Sequence, residues 1–188
     1  MNPRTLLAVV SLGWIISEIA LARLKHSDSA KSALDKSSIR ILWITIVLAT
    51  TLGVYLGLSG IGFIPTGSAI IAWLGFLLII AGLALRWIAI FTLKQFFTVD
   101  VAIQSNHTVV NTGLYKYIRH PSYTGSLLSF LGLGMAFSNW LSVLVIFIPI
   151  TVAFIHRINI EEKVLTQFFG NAYIQYSAST KRIVPKVY

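Results

Sequence analysis

Apolar residues fall along this chain in long blocks, with little strand-like alternation. Three runs stand out, roughly Thr5–Ala22, Ile39–Leu58 and Ser68–Leu93, each near or above the ~20 residues that a helix needs to cross a hydrocarbon core. A fourth block begins after Pro121 and reaches Ile155, broken at Phe137-Ser138-Asn139-Trp140. Ser-Asn is turn chemistry, and a short link makes antiparallel neighbours, so this block reads as two spans in a tight helical hairpin. The pattern predicts an all-α integral membrane protein with five transmembrane helices. It forms one membrane-embedded domain over 1–188, with the first two spans in 1–67 and the third span plus the chemistry in 68–188.

Composition agrees: 56% of the residues are hydrophobic and 11% charged, against the roughly 25% charge of a soluble domain. The formal charge of +9 would suggest a nucleic-acid partner in a soluble chain, but here it reads as topology. Basic residues collect in three segments: Arg23, Lys25, Lys31, Lys36 and Arg40; then Lys94, Lys116 and Arg119; then Arg157, Lys163, Lys181, Arg182 and Lys186. Five spans put all three on one face, the cytoplasmic one by the positive-inside rule, with the C-terminal tail there. The alternative for the first run is a cleavable signal peptide ending at Ala20-Leu21-Ala22, which would export the basic residues that follow it. Arg86 is the one basic residue inside a span, near enough to its cytoplasmic end to snorkel. The basic loops suit anionic membrane lipids; spread over three segments without a reading module, they do not suit nucleic acid. There is no cysteine, which excludes disulfides, thiolate nucleophiles and Cys-bound zinc, and His26 and His156 lack metal-ligating neighbours.

Two stretches depart from membrane filler. Asn106–Gly125 reads NHTVVNTGLYKYIRHPSYTG and His156–Glu162 reads HRINIEE. Pro121 suits a first helical position, so a helix should begin there with free N–H groups beside Arg119 and His120, an arrangement that receives an anion or simply anchors to lipid phosphate. Arg157 and Glu161 are four apart and share a helix face, with Glu162 rotated away. They form an interfacial salt bridge or a clamp for a ligand carboxylate. Gly53-Val54-Tyr55-Leu56-Gly57 has the spacing of a helix-packing motif, and Gly132-Leu133-Gly134 lacks the strand and third glycine of a dinucleotide loop. Asn106-His107-Thr108 has the form of a glycosylation acceptor but falls on the cytoplasmic side.

The run Gly113-Leu114-Tyr115-Lys116-Tyr117-Ile118-Arg119-His120-Pro121-Ser122-Tyr123-Thr124-Gly125, followed by Glu161-Glu162 and by Phe169-Gly170-Asn171-Ala172-Tyr173-Ile174-Gln175-Tyr176, resembles the isoprenylcysteine carboxyl methyltransferases over roughly the C-terminal half. That resemblance implies S-adenosyl-L-methionine as cofactor, held between the loop before the fourth span and the tail after the fifth. By the same resemblance His107, Thr108, Val109 and Val110 line the adenosine end, and Tyr115 matches a conserved aromatic. His120, Pro121, Ser122 and Tyr123 match the helix start that receives the amino-acid end. Arg157 and Glu161 match the catalytic and substrate-binding pair at the acceptor carboxylate. The implied acceptor is a prenylated cysteine or similar lipid that enters from the bilayer. Rival readings are a methyltransferase for a lipid amine, a membrane reductase using NADPH, and a non-catalytic scaffold; an arginine at the acceptor site argues for an anionic substrate.

Overall fold

In a computed structural model, described over residues 3–24, 33–98 and 108–188, the chain is helical throughout. The helices are α1 (Pro3–Leu24), α2 (Ala33–Ser59), α3 (Ser68–Leu93), α4 (Pro121–Ala136), α5 (Trp140–Phe169) and α6 (Asn171–Ser179). Short 3₁₀ turns at Lys94–Phe96 and Gly113–Lys116 flank the connection between α3 and α4. Among the described residues there is no β-strand, only two isolated bridges.

Three helices are long and apolar enough to cross a membrane, over Ser37–Ser59, Ser68–Phe96 and Trp140–Phe169. Leu12, Ile70 and Phe91 lie 59%, 68% and 67% exposed on α1 and α3, an outer surface that only lipid can cover at low cost. This is an integral membrane protein. The other two expected spans are shorter. The apolar part of α1 is Val9–Leu21, and the 16 residues of α4 rise only about 24 Å, less than a ~30 Å hydrocarbon core. By contrast, α5 has 30 residues and a length of about 45 Å. It does not end where its apolar run does, and its last turns carry Arg157, Glu161 and Glu162 over the start of α4.

Glycine sets how closely the helices approach. Gly75 and Gly82 on α3 meet Gly132 and Gly125 on α4. A methyl group on Gly82 would lie 2.5 Å from the Gly125 carbonyl oxygen, and one on Gly132 would lie 2.5 Å from that of Gly75. Both pairs are seven residues apart, two helical turns, so one glycine face serves each helix. Gly53 and Gly57 do face neighbouring elements, Ile146 of α5 and Phe137 of the α4–α5 turn. Gly132 and Gly134 lie inside α4.

The three-residue turn between α4 and α5 is tied to the α2–α3 link. Asn139 caps α5 by accepting from the Ser142 N–H at 3.0 Å, and its amide donates to the carbonyls of Ile61 and Leu56 at 2.6 and 3.2 Å. The Ser138 hydroxyl donates to the Ser68 carbonyl at 2.6 Å. Ile79, Phe130, Ile146, Ile150, Phe154 and Ile158 form the core between α3, α4 and α5, with Trp14 of α1 against Phe130.

Candidate active site

Pro121 occupies the first position of α4 and is fully buried. The segment before it is held by the chain's own tail. The Arg119 N–H donates to the Lys181 carbonyl at 2.7 Å and the His120 N–H to the Arg182 carbonyl at 3.0 Å, while Lys181 returns a bond to the Tyr117 carbonyl at 3.3 Å. The Thr124 hydroxyl adds a bond to the Ile183 carbonyl at 2.8 Å. Arg119 also donates to the carbonyls of Ser177 and Thr180 at 2.9 and 2.5 Å. The loop and the tail therefore form one unit over the start of α4, and Arg119 is spent on building it.

The two carboxylates of α5 divide the work. Glu162 accepts from Arg119 Nε at 2.8 Å, from Arg182 Nη2 at 2.7 Å and from His120 Nε2 at 3.2 Å. A carboxylate only accepts, so Nε2 is the donor in this contact. Glu161 takes the Tyr123 hydroxyl at 2.8 Å, with His120 Nδ1 3.8 Å away. His120 and Tyr123 are stacked, with centroids 5.6 Å apart. The helix dipole of α4 thus points at two carboxylates that are already engaged with its first turn.

Two arginines are buried deeper. Arg157 is 1% exposed and donates from Nη1 to the Ser38 hydroxyl of α2 at 2.7 Å. Arg86 does not snorkel. Its guanidinium points inward and pairs bidentately with Glu18 of α1, Nε to Oε1 at 2.6 Å and Nη2 to Oε2 at 2.7 Å. Its Nη1 reaches the hydroxyls of Ser122 and Ser126 at 2.9 and 3.0 Å. Burial favours this geometry: Glu18 would otherwise be an uncompensated charge inside the helices, and the fork saturates both oxygens.

A cavity of about 1250 Å³ gathers these groups. Its lining follows α3 from Ser68 to Leu93 and includes apolar side chains of α1 and α2, such as Ile15, Trp43 and Ile46. Its polar end holds Glu18, Arg86, His120, Arg157 and Glu161. Of the residues expected at the site, Thr108, Val109, Val110, Tyr115, His120, Ser122, Tyr123, Arg157 and Glu161 all line it. Pro121 lies behind the lining, and His107 falls outside the described residues.

The sequence reading missed four contributors. Glu18 and Arg86 are opposite charges inside apolar runs, a signal that each has a partner at membrane depth. Tyr173 and Tyr176, in the downstream motif, also line the cavity and pack edge to face at 5.9 Å. Tyr176 donates to the Tyr115 carbonyl at 2.8 Å. Among the described residues the buried Tyr173 hydroxyl has no hydrogen-bond partner, an unusual state for a buried donor. Burial, with Glu162 and Glu161 nearby, pushes its phenol well above the ordinary range, so it stays a donor. Burial raises Tyr115 in the same direction.

A sequence profile described as the isoprenylcysteine carboxyl methyltransferase family matches residues 73–167, just over half of the chain. The chain belongs to that family. The matched segment contains α4, Arg86 and the catalytic-site candidates of α5. An Arabidopsis thaliana protein-S-isoprenylcysteine O-methyltransferase B is 35% identical over 115 residues, covering 60% of this chain and 58% of that protein. The Saccharomyces cerevisiae protein-S-isoprenylcysteine O-methyltransferase is 38% identical over 105 residues, covering 55% and 44%. A solved structure of a eukaryotic intramembrane Ras methyltransferase of this family superimposes with a TM-score of 0.59 at 26% identity, over 84% of this chain and 54% of the other. The chain thus spans about half the length of the curated relatives it matches, and the profile's segment includes Arg86, His120, Arg157 and Glu161 of the cavity's polar end but not Glu18.

Proposed function

We propose that the cavity is the active site of an S-adenosyl-L-methionine-dependent methyltransferase that esterifies the α-carboxylate of a C-terminal isoprenylated cysteine or a similar lipidated acid. The observation that carries this reading is the form of the cavity. One space joins a long apolar lining along α3 to an end where two buried arginines, Glu161 and the α6 tyrosines converge, in a chain of this family. At about 1250 Å³ it is larger than the roughly 300–1,000 Å³ that holds one drug-sized ligand, as a two-substrate site requires.

The residues present fit the cofactor. Tyr173 offers an unspent buried hydroxyl, and Thr108, Val109, Val110, Tyr115 and Tyr176 supply a mixed apolar and polar wall beside it. These would hold the adenosine end, with His120, Ser122 and Tyr123 at the amino-acid end. When bound, the cofactor supplies an electrophilic methyl on a sulfonium. Arg157 orients the acceptor carboxylate, which is ionised at neutral pH and needs no general base. Glu161, fixed by Tyr123, borders the position of transfer and holds its geometry. The apolar lining excludes water, and alignment of the two reacting groups supplies much of the rate.

In this reading α1 and α4 complete five crossings, α4 and α5 form a hairpin, and the polar end faces the cytoplasm, where the basic segments of the sequence collect. The lipid tail enters from the bilayer. The buried Arg157 favours an anionic acceptor over an amine. The decisive test is methyl transfer from labelled S-adenosyl-L-methionine to a panel of lipid acids and lipid amines. Transfer to S-prenylcysteine acids is expected; transfer confined to amines overturns the reading.

A further inference from the structure

The two buried arginines of the cavity lie within the segment that the family profile matches, residues 73–167. Each is held by a residue outside it. Glu18 of α1 clasps Arg86 through both carboxylate oxygens, and Ser38 of α2, 1% exposed, accepts from Arg157 at 2.7 Å. The arginines also differ in what lies beyond them. Arg86 continues to Ser122 in the first turn of α4 and to Ser126 one turn later. Arg157 sits on α5 one turn before Glu161, whose oxygen takes the Tyr123 hydroxyl.

We infer that Glu18 and Ser38 are positioning residues with separate duties. Glu18, through Arg86, sets the start of α4 for the methyl donor, and Ser38, through Arg157, sets the carboxylate of the acceptor. The first two helices are then part of the site's geometry as well as its anchor in the membrane. A guanidinium on a long side chain has many rotamers, and a second helix that grips it removes that freedom before ligand arrives. The inference rests on the proposed methyl transfer, and it adds a division of labour that the transfer alone does not require.

The test uses the full chain in lipid nanodiscs, with S-adenosyl-L-methionine as donor and an N-acetyl-S-farnesylcysteine as acceptor, and reads the two KM values separately. Ser38→Ala is expected to raise the acceptor KM about tenfold, the effect of one hydrogen bond to a charged group, with the donor KM held within about twofold. Glu18→Gln is expected to give the reverse pattern. Ser126→Ala, which removes a milder anchor of the same guanidinium, shifts the donor KM in the same direction and serves where Glu18→Gln does not fold. In each variant the unaffected substrate reports an intact site. Parallel changes in both constants, or no change in either, overturn the assignment, because a purely structural contact would not separate donor from acceptor. An unmodified chain that transfers no methyl to the acid removes the functional reading and this inference together.

Discussion

Gly82 and Gly125 touch backbone to backbone: a methyl group added to either would stand 2.5 Å from the other's carbonyl oxygen. Backbone cannot turn aside as a side chain can, so the helices would have to separate, and overpacking of this kind costs about 1–3 kcal/mol. Gly82→Ala and Gly125→Ala are therefore expected to lower the unfolding temperature in detergent. Gly53→Ala, whose added methyl would press on the Ile146 side chain and lie at an ordinary 3.5 Å from the nearest backbone atom, the Ser142 carbonyl oxygen, should cost less. An equal loss in all three would show that the α3–α4 approach is not special.

Glu162 holds Arg119, Arg182 and His120 together and so joins the loop, the tail and α5. Replacing it with glutamine keeps the shape and removes the charge that all three share. Glu162→Gln is expected to cost about 3 kcal/mol, as when one partner of a largely buried ion pair is lost. Limited proteolysis should then cut the tail near Lys181 before the helices unfold. A tail as resistant as in the unmodified chain would contradict the role given to Glu162.

Tyr173→Phe separates ligand binding from stability. The hydroxyl has no partner among the described residues, so its loss should leave stability equal or slightly raised, since an unsatisfied buried donor costs about 1–3 kcal/mol. Affinity for S-adenosyl-L-homocysteine, measured by calorimetry, should fall about tenfold. Unchanged affinity would place the hydroxyl outside the donor site.

Arg157→Ala is expected to abolish transfer to the prenylcysteine acid and to leave donor binding in place. His120→Ala and Tyr115→Ala should weaken donor binding first. Rates and donor binding measured side by side check the division, and a joint loss in Arg157→Ala would refute it.

The helices were legible in the sequence because long apolar runs admit few other structures, and the Ser138-Asn139 break marked the turn that Asn139 caps. The lining of the candidate site was legible where its pattern is local: His120, Ser122 and Tyr123 follow a helix start, and Arg157 and Glu161 follow a helical spacing. What escaped depended on distance along the chain. Glu18 and Arg86 are 68 residues apart, and no periodicity ties them. The spacing rule turned Glu162 away from Arg157 and gave no hint that Arg119, 43 residues earlier, would meet it. Likewise the 30-residue length of α5 was hidden because its hydropathy ends before its helix does.

That continuous α5 has a mechanical meaning. Arg157, Glu161 and Glu162 ride on the same helix as the residues that cross the lipid, beyond Pro149 in its interior, so the tilt of α5, which answers to bilayer thickness, bears on where the charged end sits. Membrane composition would then act as a tuning variable for the reaction: a thinner bilayer tips α5 and carries the acceptor clamp with it, while the loop and tail follow through Glu162.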